Sequence, residues 1–281
     1  MIEEANTSNK PFFFFLITLG FSWTFWIPAA FINEDIPNTP WVILLYIGGL
    51  GPALAGILLT YTGTDPFARK NYWSRVFDPN RIGGIWYLII FLFYPIISVL
   101  IIYLVDGQIH LTDGFRVSLS QPLNLVPFLL FLYLFGPFPE ELGWRGYALD
   151  GLQSKMDPVI SSLILGSIWA IWHIPLFLMR GTYQYELGLG SSEFWIFLFA
   201  AVVISVFFTW IYNNNQGSIL SASLFHFSVN LTGNILLESE RIRFIRLVVL
   251  LLMAVLLILF TRSKGLLGFP DQDRMIEQGS P

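Results

Sequence analysis

Gly84-Ile-Trp-Tyr-Leu-Ile-Ile-Phe-Leu-Phe-Tyr-Pro-Ile-Ile-Ser-Val-Leu-Ile-Ile-Tyr-Leu-Val105 runs for 22 residues without a charged side chain. At about 1.5 Å per residue, a helix of that length crosses the roughly 30 Å hydrocarbon core of a bilayer. Within that core a segment must satisfy its own backbone as a helix or join a closed barrel. A barrel strand would alternate apolar and polar side chains over about ten positions. This run is continuous, so it reads as a helix. Comparable runs lie at Pro11–Ile32, Trp41–Tyr61, Pro122–Pro139, Pro158–Met179, Phe194–Tyr212, Ser218–Leu237 and Phe244–Phe260, making eight in all. The expected fold is an all-α polytopic membrane protein of about eight transmembrane helices. Residues 11–262 form one embedded domain, with tails at 1–10 and 263–281.

Composition agrees. The chain of 281 residues is 55% hydrophobic, 17% aromatic and 12% charged, against about 25% charged in an average soluble domain. No basic stripe or nucleic-acid module is visible, so nucleic acid is not an expected partner. Membrane lipid is one, and oligomeric state is left open. The absence of cysteine rules out disulfides, thiolate nucleophiles and Cys-held metals. The first apolar run follows two glutamates, with no basic segment and no small-residue cleavage site, and reads as an uncleaved span.

With eight spans both termini share a side. Placing them in the cytoplasm puts ten Lys and Arg residues inside and five outside, so cytoplasmic termini are expected. The inside set includes Lys10, four residues of the Gly63–Gly83 loop, Arg145, Arg262, Lys264 and Arg274. The outside set is Arg116, Arg180, Arg241, Arg243 and Arg246. Trp41, Trp73, Trp86 and Tyr61, at helix ends, are expected as interfacial anchors.

One stretch breaks the apolar pattern: Phe135-Gly-Pro-Phe-Pro-Glu-Glu-Leu-Gly-Trp-Arg145. A carboxylate at bilayer depth costs on the order of 3 kcal/mol, so two beside an arginine read as a functional site. The fourth span is expected to continue through this stretch as one long helix, kinked at Pro137 and Pro139. The other polar groups at membrane depth are His173, His226 and Asn230.

Helical spacing sorts these groups. Glu141 and Arg145 are i, i+4, acid first, and can pair. Glu140 points about 100° away, with no partner in its own helix. Trp169 and His173 are i, i+4, so the indole can pack against the imidazole. His226 and Asn230 share one face of the seventh span. Each group also has a bland reading, as a core histidine, a structural ion pair or an interhelical bridge. Together those readings would need a private partner for every group. A shared polar cavity within the bundle satisfies them more economically.

Three chemistries fit. A carboxylate and an imidazole flanking a water can hydrolyse a carbonyl compound, with His and Asn holding the oxyanion. The same residues can ligate zinc, through Glu140, His173 and His226. Intramembrane Glu and His can also relay protons in a transporter, although no paired repeats or broken spans support that reading. The chain has no H-E-x-x-H, no G-x-S-x-G and no pair of membrane-embedded aspartates.

Glu140-Glu141-Leu-Gly-Trp-Arg145 resembles the E-E-x-x-x-R motif of the CPBP intramembrane proteases, the CAAX-protease and bacteriocin-processing (Abi) group. Trp169-Ala-Ile-Trp-His173 is similar to their F/W-x-x-x-H motif, opening with Trp instead of the commoner Phe. His226-Phe-Ser-Val-Asn230 is similar to H-x-x-x-N. The motifs occur in order within residues 122–237. The resemblance implies an eight-helix peptidase acting on a membrane-embedded or lipidated peptide. In it Glu140 and His173 activate water, His226 and Asn230 stabilise the oxyanion, and Glu141 and Arg145 support them. It also implies a choice between zinc and a metal-free glutamate mechanism, of which the metal-free account is favoured, with no cofactor required. The alternative roles are a catalytically silent immunity or binding protein and the proton-coupled transporter. The four catalytic candidates are expected to line one water-accessible cavity open to the cytoplasm.

Overall fold

The computed structural model describes residues 10–261 and 266. The tails expected at 1–10 and 263–281 therefore lie almost wholly outside the described residues, as do Arg262, Lys264 and Arg274 of the charge count. The described chain is helical, with no strand beyond one isolated bridge between Leu111 and Leu236.

In chain order the helices are α1 (Pro11–Ala30), α2 (Val42–Gly49), α3 (Gly51–Gly63), α4 (Pro66–Phe77), α5 (Gly84–Asp106), α6 (Asp113–Ser120) and α7 (Pro122–Leu134). They continue with α8 (Pro137–Gly143), a π-helical turn (Trp144–Leu149), α9 (Asp150–Gln153), α10 (Pro158–Trp172), α11 (Tyr183–Leu187), α12 (Ser192–Asn214), α13 (Ile219–Ile235) and α14 (Glu240–Thr261). Among the described residues, seven helical stretches are long and apolar enough to cross a membrane. The expected span Ser218–Leu237 appears as α13, of 17 residues, about 25 Å long.

Two polar rims show how α13 runs. At one rim Lys10 meets Tyr147, Arg75 meets Asp150, Gly83 meets Asn215, Gln153 meets Asn213 and Asn214 meets Leu266. At the other, Asn33 meets Arg180, Glu193 meets Arg243, Ser192 meets Glu240, His110 meets Leu237 and Thr112 meets Asn234. α13 starts beside Asn215 and ends beside Leu237, so it joins the same two rims as the seven longer stretches. The helix count of eight follows.

Local sequence explains the ends. Pro158 opens α10 while Asp157 Oδ1 accepts from Val159 N–H at 2.7 Å, and Ser218 Oγ accepts from Ser221 N–H at 3.1 Å to cap α13. Gln216 (φ 53°) and Gly217 (φ 64°) make the left-handed turn before it. The second span breaks at Leu50 because Pro52 has no N–H to continue the ladder.

Four expectations are corrected. The fourth span does not kink at Pro137 and Pro139. It breaks before them, at Phe135–Gly136, and Pro137 then occupies the first turn of α8, where a missing N–H costs nothing. The loop Gly63–Gly83 contains α4, opened by Pro66 and capped by Asp65. Trp86 is no interfacial anchor. It is buried, with its ring 4.8 Å from that of Trp210. Arg145 is no loop charge: it is fully buried.

α10 and α12 pack along their length at the centre of the bundle, through Gly166, whose added Cβ would sit 2.8 Å from Ser205 Cβ. α3 packs equally closely on α8, since a Cβ on Gly143 would lie 2.2 Å from Pro52 O. Small residues at these crossings let helices approach where no hydrophobic effect drives them together.

Candidate active site

The site forms where α8 and the π-helical turn meet α10, α12 and α13. The ion pair expected from spacing is present: Arg145 Nη1 donates to both Glu141 oxygens at 2.9 Å, with both side chains fully buried. Arg145 Nη2 also reaches Ser205 Oγ at 3.4 Å. The guanidinium lies 4.0 Å from the centroid of Phe208, a geometry that favours the desolvated cation.

Glu141 serves a second residue. His226 Nδ1 lies 2.9 Å from Glu141 Oε1. A carboxylate only accepts, so Nδ1 carries a proton and the bond fixes the ring's orientation. His173 is fixed in the same way by backbone. Its Nδ1 lies 2.8 Å from Trp169 O, so Nδ1 is again the donor and Nε2 is directed elsewhere.

Glu140 has no partner in its own segment, as the spacing predicts. It is held instead from α10, where Trp169 Nε1–H donates to Glu140 Oε2 at 2.8 Å. The Trp169 ring stands edge-on to His173 (centroids 5.6 Å) and to His226 (5.3 Å). Glu140, His173 and His226 therefore gather around one indole. Asn230 is partly exposed, and its amide lies beside Gly136 at the break between α7 and α8. Glu140 and His173 are each 8% exposed and His226 is 3% exposed, while Glu141 and Arg145 are wholly enclosed.

The zinc set Glu140, His173 and His226 lies around the Trp169 indole. Among the described residues no three His, Asp or Glu side chains are grouped so as to hold an ion. One oxygen of Glu140 and Nδ1 of each histidine face other partners, which leaves the second carboxylate oxygen and each Nε2 for further contacts.

A clamp on the Glu140–Arg145 segment was not legible in the sequence. From α4, Tyr72 Oη donates to Leu142 O at 2.8 Å and Arg75 Nη2 donates to Gly146 O at 3.0 Å. Arg75 also bonds Asp150 at 2.6 Å and pairs with Tyr212. Burial raises the Tyr72 hydroxyl above its ordinary value and keeps it a neutral donor. These contacts take up the carbonyls one residue past Glu141 and one residue past Arg145, around the start of the π-helical turn that interrupts the α-helical ladder. Ser205 and Phe208 were missed too, since a serine or phenylalanine in an apolar helix carries no signal of what it faces.

Comparison with known proteins bears on the same residues. Residues 122–232 match the family described as type II CAAX prenyl endopeptidase, Rce1-like. The chain is similar to CAAX prenyl protease 2 of Methanococcus maripaludis, at 29% identity over 267 residues, covering 92% of this chain and 97% of the relative. With three motifs in order on the helices that build one buried site, the chain is similar to the Rce1-like CAAX prenyl endopeptidases over residues 122–232.

Proposed function

We propose that this protein is a glutamate-dependent intramembrane endopeptidase whose substrate is a lipidated, membrane-associated peptide of the prenylated CAAX type. The substrate class is supported by the matched family and by the activity named for the Methanococcus relative. The observation that carries the mechanism is the unequal treatment of two adjacent carboxylates. Glu141 is consumed by Arg145 and His226, whereas Glu140 keeps one oxygen clear of the ion pair, beside the histidines.

In this reading Glu140 takes a proton from a water as the water oxygen attacks the scissile carbonyl. His173, with Nδ1–H tied to the backbone, orients that water through Nε2. The carbonyl oxygen becomes an oxyanion held by the Asn230 amide and by His226 Nε2. Because His226 Nδ1 already donates to Glu141, donation from Nε2 requires the doubly protonated ring. Collapse breaks the C–N bond, and the proton held by Glu140 passes to the leaving amine. The scheme needs no metal.

The test is hydrolysis of an internally quenched farnesylated CAAX peptide by the purified full chain in liposomes. Glu140→Gln is expected to lower kcat by about 10³-fold or more while leaving folded yield unchanged. Turnover near wild type in that variant would remove Glu140 as the base. Cleavage of the peptide without its prenyl group at the same kcat/KM would remove the lipid from the substrate class.

A further inference from the structure

The motif position that departs from the commoner phenylalanine is where the site is tied together. Trp169 touches Glu140 by a hydrogen bond of 2.8 Å. Its ring meets both site histidines edge-on, and the Arg145 guanidinium lies 5.4 Å from its centroid. The indole is 7% exposed, and its N–H has the carboxylate as partner. A phenylalanine could keep the ring contacts but has no N–H to donate.

We propose that Trp169 is a positioning residue for the reaction. Its indole N–H fixes one oxygen of Glu140 so that the other faces the water, and its ring edges set the planes of His173 and His226. This rests on Glu140 being the base. The N–H favours the ionised carboxylate, since it can donate to it at full strength and needs no rearrangement when the proton is gained or lost. The charged and titratable groups that also act on Glu140 are Glu141 and Arg145 of its own segment and His226 of α13, while His173 meets the same indole. Trp169→Phe keeps a ring against His173, His226 and Arg145, so the change it isolates is the loss of the N–H.

The experiment compares Trp169→Phe with wild type on the farnesylated quenched peptide across pH. The expected result is a kcat lower by about tenfold with KM within about twofold, because the loss is confined to the reacting geometry. The acidic limb of the kcat/KM profile should also move to higher pH by about one unit, the size set by one hydrogen bond to a charged group. A purely structural tryptophan would lower stability and leave the limb in place. If Trp169→Phe costs folded yield, β-(3-benzothienyl)alanine at position 169 keeps the indole shape without the N–H and gives the same readout. Wild-type kcat and an unmoved limb in either variant would overturn the proposal. Glu140→Gln separates the two readings. If it is inactive while the position-169 variants behave as wild type, only the positioning role fails. If it is active, the base assignment fails first.

Discussion

Glu140 and Glu141 are adjacent and chemically identical, yet the fold gives them opposite tasks. The difference of about 100° between neighbouring helical positions turns one toward Arg145 and the other toward α10. Glu141 and Arg145 are both fully enclosed, so removing one strands the other. Arg145→Ala is expected to cost roughly 3–5 kcal/mol, read as a fall in the thermal midpoint. Glu140→Gln keeps a carbonyl oxygen for the Trp169 N–H and should cost under about 1 kcal/mol. Equal midpoints in the two variants would count against the buried pair.

The helices place these side chains through contacts that no motif records. α3 lies against α8 with Pro52 O in the space that a Cβ on Gly143 would fill. Gly143→Ala should therefore separate the two helices and lower stability by about 1–3 kcal/mol, and activity should fall with it. Gly20→Ala in α1 meets nothing within 4 Å and serves as the control, with stability unchanged or slightly raised. α4 supplies the second constraint. Tyr72→Phe leaves Leu142 O without its partner, an expected loss of about 1–3 kcal/mol. Hydrogen exchange should rise locally in the π-helical turn and not in α14. Uniform change across the chain would argue that α4 acts on the whole bundle and not on the Glu140–Arg145 segment.

At the scale of the molecule the two polar rims imply a single up-and-down path through the membrane. Four of the arginines that weighed in the orientation count are placed by the fold. Arg145 lies in the site, and Arg75, Arg243 and Arg246 are paired with Asp150, Glu193 and Glu238. We propose cytoplasmic termini; His173, which follows α10 and precedes Arg180, and Asn230, one turn from Asn234, then lie toward the rim away from the termini, so this orientation does not support the expected opening of the cavity to the cytoplasm. The absence of cysteine makes the test direct. Lys70→Cys on α4 should react with an impermeant maleimide only from the cytoplasmic face, and Glu186→Cys on α11 only from the other. The reverse pattern would invert the protein. Metal content is decided on the same preparation. Active protein should carry far less than one zinc per chain and keep its kcat after chelation, whereas stoichiometric zinc with activity lost on removal and regained on return would refute the metal-free scheme.

The class of fold was legible in the sequence because a bilayer imposes a one-dimensional rule: about 20 apolar residues per crossing, readable without knowing any neighbour. The candidate residues were legible for a related reason, since polar groups at membrane depth are costly and so few. The Glu141–Arg145 pair is local, four residues apart on one helix, and spacing alone predicts it. Everything that crosses between helices was not legible. The bond from Trp169 to Glu140, the grip of Glu141 on His226, the carbonyl contacts from α4 and the close approach of Gly143 to Pro52 join residues 29, 85, 70 and 91 positions apart. No periodicity within a segment encodes which face of another helix it will meet. Packing decides that, and packing made Trp169, which spacing marks only as a neighbour of His173, the common contact of Glu140, His173 and His226.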